Sequence, residues 1–122
     1  MSLRVLITAG AAGIGAVAAR AFAARGDRVA VCDSDAAALT AFADAHADIG
    51  VRPCDVTDET DVDALFDWVT ASLGGVDVVW ANAGIAGPAG PIEHIALDDW
   101  RATLAVNLDG AFLTARRAAA LF

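Results

Sequence analysis

Two groups of residues in this 122-residue chain have types and spacing suited to chemistry. The first is Gly10-x-x-Gly13-x-Gly15, followed further on by Asp33. An apolar run, Leu3–Ile7, leads into these glycines, and an alanine-rich segment of helical period leaves them. Glycines in a strand-to-helix turn let backbone come close to a phosphate, and the unpaired N–H groups of a helix N-terminus favour negative charge. Gly13 and Gly15 suit that close approach. Asp33, ending the next strand, suits hydrogen bonds from adenosine ribose hydroxyls. The joint pattern within one βαβ unit predicts a bound dinucleotide. An aspartate with no Arg or Lys close behind it predicts NAD(H) over NADP(H), because it repels a 2′-phosphate. Ala9 stands before Gly10. A methyl group there requires negative φ, so Gly10 is expected to take the positive φ of the turn.

The second group is Asp55-Val56, Asn82-Ala83-Gly84 and Asn107. By residue type alone, Asp55 caps the turn after a strand, Asn82 braces a turn, and Asn107 is a polar group bonded within an apolar helix. His46 and His94 are isolated, and no Cys or His lies at metal-ligand spacing. Cys32 and Cys54, each just before an aspartate, read as buried small apolar residues in a reducing cytoplasm.

Alternating strands and helices must position these residues. Ile14, Val17, Ala18, Ala21 and Phe22 share one face of a first helix, which Gly26 stops. Arg28–Cys32 is a second strand. Ser34 or Asp35 caps a helix over about Ala36–Ala45. Ile49–Cys54 is a third strand, and its Pro53 predicts an edge position. Thr57 or Asp58 caps an amphipathic helix with Val62, Leu65, Phe66, Val69 and Leu73 on one face, ended by Gly74-Gly75. Val76–Trp80 is a fourth strand, and Ile85–Pro91 is a loop. A last helix runs from about Asp98 to the C-terminus. One of its stripes holds Trp100, Leu104, Leu108, Ala111, Phe112 and Ala115, and a second holds Val106 and Leu113. Two apolar stripes predict packing on the sheet and on another chain. Short turns between alternating elements predict an α/β, Rossmann-like parallel sheet in the order 3-2-1-4, with helices on both faces, in one domain over residues 1–122.

Composition narrows the partners. The chain is 57% hydrophobic, carries a net charge of −8 and contains no lysine. It would repel nucleic acid and anionic membrane. Charges interrupt every apolar run and no signal peptide precedes Leu3, so a cytoplasmic chain with no membrane span is expected. An anionic cofactor must then be held by backbone N–H groups rather than a basic patch.

Taken together, these residues resemble the short-chain dehydrogenase/reductase family over the whole chain. The family loop reads T-G-x-x-x-G-x-G. Thr8-Ala9-Gly10-Ala11-Ala12-Gly13-Ile14-Gly15 is similar, with Ala9 where the first glycine would stand. The resemblance implies that Gly10, Ala12, Gly13, Ile14 and Gly15 meet the cofactor, and that Asp55, with Val56, contacts adenine. It also implies that Asn82, Ala83 and Gly84 close the fourth strand beside the cofactor. Asn107, in Val106-Asn107-Leu108, matches the asparagine of the family's catalytic tetrad. Ala12 stands where NADP-preferring relatives often carry a basic residue.

The implied activity is hydride transfer between an alcohol/ketone pair and nicotinamide, with Tyr, Lys and Ser as the other catalytic residues. In the family those residues lie on a fifth strand and the helix after it. This sequence has no tyrosine or lysine and ends at Phe122. The expectation is a cofactor-binding fragment, truncated before the fifth strand and inactive alone. Its bare fourth-strand edge and last helix would pair with a second copy or with another chain. Two further readings remain. One is a complete, non-catalytic dinucleotide-sensing or assembly module that pairs with another subunit. The other is an S-adenosylmethionine binder, which suits the glycine loop and Asp33 but not Asp55, Asn82 and Asn107.

Overall fold

A computed structural model describes residues 1–122. Four parallel strands form one sheet in the order β3-β2-β1-β4. They are β1 (Arg4–Thr8), β2 (Arg28–Asp33), β3 (Gly50–Pro53) and β4 (Val78–Trp80). The central stretches of β1 and β2, Val5–Ile7 and Val29–Cys32, are apolar and buried because helices cover both faces. Alternation along β1 shows this: Val5 and Ile7 enter one core, Leu6 the other. On the first face pack α1 (Gly13–Ala24) and α2 (Ala36–Ala45), through Ala16, Ala19 and Phe42. On the second pack α3 (Glu59–Leu73) and α5 (Gly110–Leu121).

The caps fall where the sequence places them. The Asp35 carboxylate accepts from Ala38 N at α2, and the Asp58 carboxylate accepts from Asp61 N at α3. Gly74 ends α3 in the left-handed conformation, with φ 78°. All five expected residues of the α3 face are buried, each worth roughly 1.5–3 kcal/mol relative to exposure. Pro53 ends the edge strand β3. β4 is shorter than Val76–Trp80, although Asp77 N still donates to Arg4 O at 2.8 Å.

Ile14, Val17, Ala18, Ala21 and Phe22 do share one face of α1, but Ile14 and Val17 on it are exposed, and the buried residues of the helix are Gly15, Ala16, Ala18 and Ala19. Small residues let α1 lie close to the strands. The large ones, with Phe22 and Trp80, line an open groove of about 340 Å³ beside the β4 edge. One expectation is corrected here: the last helix is not uniform. α4 (Leu97–Leu104) passes through a π turn (Ala105–Asp109) into α5. Its sheet-facing surface is Gly110, Thr114 and Ala118, whereas Trp100, Leu104, Leu108 and Phe112 are exposed. Arg117 fastens α5 to α3, bridging Asp63 at 2.9 Å and Asp67 at 3.0 Å over the Phe66 ring.

Candidate functional site

The carboxyl ends of β1, β2 and β4 meet at one end of the sheet, the place where parallel α/β sheets bind ligands. After Thr8 the chain turns through the glycine loop. The residue at positive φ is Ala9, at 51°, not Gly10. Gly10 is required for another reason: a Cβ there would stand 2.6 Å from the Val31 side chain. Its N–H donates to Cys32 O at 3.0 Å, pinning the loop to β2. Gly15 faces the same limit, since a Cβ would meet the Ala9 carbonyl and, at 2.7 Å, Asn82 Nδ2. Gly13 has φ +56°, with nothing within 4 Å of its Cβ position.

Ala12 enters α1 extended and gives no side-chain cap. The first-turn N–H groups, from Gly13 through Gly15, therefore have no partner in the helix. This open cradle of backbone donors has the chemistry to take a pyrophosphate. Ile14 follows, but its side chain faces the groove beside Trp80.

Asp33 is tied into the loop. Its Oδ2 accepts from Ala11 N at 3.3 Å and its Oδ1 from Asp35 N at 3.1 Å. Beside it lies a cavity of about 250 Å³, walled by Ala9, Asp33, Cys54, Asp55, Val56 and Gly84 among others. Asp55 uses one oxygen locally, as its Oδ1 accepts from Thr57 N at 2.9 Å and Thr57 Oγ1 at 2.6 Å. These bonds, the side-chain one first, hold its carboxyl below the ordinary carboxylate range. It is thus ionised at the cavity wall. Val56 is buried under Gly110, where a Cβ would come within 2.7 Å of Val56 Cγ2.

Asn82 joins β4 to the loop, donating through Nδ2 to Thr8 O at 3.2 Å and Ala9 O at 3.3 Å. Thr8 answers with its buried hydroxyl, which accepts from Asn82 N and Ala83 N at 2.9 and 3.0 Å. Thr8 lies outside the residues that the glycine pattern marks for the ligand. Its signal is a hydroxyl at the buried end of an apolar strand, where a partner is obligatory. Asn107 sits at the middle of the π turn. Both ends of its amide are engaged by one residue: Oδ1 accepts from Ile85 N at 2.7 Å and Nδ2 donates to Ile85 O at 2.8 Å. Ile85, a loop residue with no chemistry of its own, was not legible as that partner.

No cluster of three or more His, Cys, Asp or Glu is placed to hold a metal. No helix is long and apolar enough to cross a membrane.

The family profile described as short chain dehydrogenase matches residues 4–122. The chain belongs to the short-chain dehydrogenase family. Short-chain dehydrogenases are oxidoreductases that bind NAD(P). Similar curated members include D-threitol dehydrogenase of Mycolicibacterium smegmatis, 42% identical over 88% of this chain and 43% of that protein. Cis-4-hydroxycyclohexanecarboxylate dehydrogenase of Sinomonas cyclohexanicum is 40% identical over 93% of this chain and 47% of its own length. Among solved members, a short-chain type dehydrogenase/reductase from Mycobacterium marinum superposes with a TM-score of 0.91 at 35% identity, covering 98% of this chain and 49% of that one. A 3-ketoacyl-(acyl-carrier-protein) reductase from Brucella melitensis, solved with NADH, has a TM-score of 0.92 at 28% identity, over 97% and 49%. The chain thus spans about half the length of these family members.

Proposed function

We propose that this chain is the cofactor-binding part of an NAD-dependent short-chain dehydrogenase acting on an alcohol/ketone pair. The observation that carries the reading is Asp33, an anionic carboxylate fixed by the N–H groups of Ala11 and Asp35 at the wall of the 250 Å³ cavity. From there it accepts hydrogen bonds from ribose hydroxyls and repels a 2′-phosphate. Gly13, Ile14 and Gly15 offer backbone N–H groups to the pyrophosphate, with Gly10 and Ala12 shaping the loop. Asp55 and Val56 form the adenine end. Asn82, Ala83 and Gly84 form the floor under the remainder of the dinucleotide. The nicotinamide, when bound, supplies or takes the hydride.

Asn107 belongs to the reaction centre as a positioning residue, because its amide is spent on holding Ile85. The tyrosine and lysine for proton transfer are not among these residues. The chain alone is therefore expected to bind NAD and turn over nothing. The bare α4–α5 stripe favours association with a second copy.

Thermal denaturation with NAD+, NADP+ or S-adenosylmethionine tests the reading. A bound ligand at about 100 times its Kd stabilises by roughly 2.7 kcal/mol. NAD+ alone is expected to raise Tm. A rise with S-adenosylmethionine instead would overturn the assignment, and turnover of an alcohol by the 122 residues would overturn the inactive-fragment reading.

A further inference from the structure

Cys32 and Cys54 lie on neighbouring strands and belong to one core cluster. β2 and β3 pair with Cys32 opposite Arg52 and Asp33 opposite Pro53. Cys54 N continues the ladder, donating to Asp33 O at 3.0 Å. Cys54 is thus two residues beyond the partner of Cys32, on the same face of the sheet. The two side chains therefore lie in the same part of that cluster.

They differ in access. Cys32 is sealed in the core at 0% exposure, whereas Cys54 forms part of the cavity wall beside Asp33 and Asp55. The neighbouring Cys32 thiol lowers Cys54 below the ordinary thiol range, and the Cys54 thiol with burial raises Cys32. The geometry therefore places one sulfur, 4% exposed, at the cavity wall and a second, fully sealed one behind it.

We propose that Cys54 is a thiol-oxidation site at the adenosine end of the cavity, with Cys32 as its resolving partner, and that oxidation by a peroxide weakens dinucleotide binding. This rests on reading the cavity as the dinucleotide site. The Cys54 thiolate attacks one peroxide oxygen, the O–O bond breaks and hydroxide leaves, giving a sulfenic acid. Cys32 sulfur then attacks the sulfenic sulfur, the S–S bond forms and the departing hydroxyl takes the Cys32 proton as water. In sum, two thiols and one hydrogen peroxide give a disulfide and two waters.

Closing that bond moves backbone. Ordinary strand spacing puts the two α-carbons about 8 Å apart, and a disulfide spans ~4.4–6.8 Å. The Cys54–Val56 turn must be drawn toward β2, carrying Asp55 and Val56 out of place. Conversely, a dinucleotide over Cys54 shields it.

The test treats the reduced chain with hydrogen peroxide, with and without saturating NAD+, and follows intact mass and NAD+ affinity. Expected are the loss of two hydrogens, suppression of that loss by NAD+, and a Kd for NAD+ roughly tenfold or more weaker in the oxidised chain, restored by dithiothreitol. Cys32→Ala is expected to stop at a Cys54 sulfenic acid that dimedone captures. Retention of both thiols without NAD+, or a disulfide form that binds NAD+ as tightly as the reduced chain, overturns the proposal. Failure of the reduced chain to bind NAD+ overturns the site assignment, and with it the coupling, whatever the mass shows.

Discussion

Ala9 holds φ at 51°, a conformation that costs an L-residue roughly 1–2 kcal/mol. Ala9→Gly removes that strain and adds chain entropy to the unfolded state. The net expectation is a gain of about 0.5–1 kcal/mol, read from the urea midpoint at unchanged slope. Gly15→Ala goes the other way. Its methyl would meet the Ala9 carbonyl and the Asn82 amide, so stability is expected to fall by about 1–3 kcal/mol together with NAD+ affinity. Asp33→Asn keeps the shape and removes the charge. Loss of a charged acceptor is worth about 1.5–3 kcal/mol, so NAD+ should bind at least roughly tenfold more weakly, with the preference over NADP+ narrowed. Calorimetric titration of the variant with both dinucleotides measures this.

At the scale of elements, Asn107 is the pin between the π turn and the loop after β4. Asn107→Ala deletes both bonds to Ile85 at an exposed position. It is expected to cost about 1 kcal/mol and to speed hydrogen exchange at the Ile85 amide. Unchanged exchange there would show that the pin is idle. β1 and β4 have their own tie. Arg4 bonds Asp77 through Nε at 3.0 Å and Nη2 at 2.9 Å, and the Arg4 hydrogen bond lowers the Asp77 carboxyl to about 2. A depressed folded value means the contribution is present above the ordinary carboxylate range. It is lost as pH falls from about 4 toward 2. Asp77→Asn is expected to flatten the acid limb of the stability curve in that window.

What the sequence discloses about these elements follows from how local each signal is. Asp35 and Asp58 act within three residues of themselves, and Pro53 marks an edge wherever it stands, so those features are legible. The burial of α1 is not. Its sheet-facing surface is made of alanine and glycine, while periodicity weights Ile14 and Val17, which face outward. The π turn is one extra residue in an otherwise helical pattern, too slight to shift the Leu104–Leu108–Phe112 spacing. Gly10 is held to glycine by Val31 on the next strand, a contact no local pattern carries, and the positive φ falls on Ala9 beside it. The pairing of Cys32 with Cys54 is likewise a product of strand register.

For the whole molecule, the acidic balance and the absence of lysine leave an anionic ligand to backbone N–H groups. The same fold leaves Trp100, Leu104, Leu108 and Phe112 in one exposed stripe and β4 as an apolar edge. Such surfaces favour association. Sedimentation at micromolar concentration is expected to show a dimer or larger species, shifted toward monomer by Leu108→Glu with Phe112→Glu. A monomer without these changes would count against the interface. The central claim is that the chain holds NAD through the glycine loop and Asp33, and titration of the 122-residue chain with NAD+ and NADP+ under one buffer tests it most directly. The account predicts saturable NAD+ binding with NADP+ at least roughly tenfold weaker. Equal affinity for the two, or none for NAD+, would contradict it.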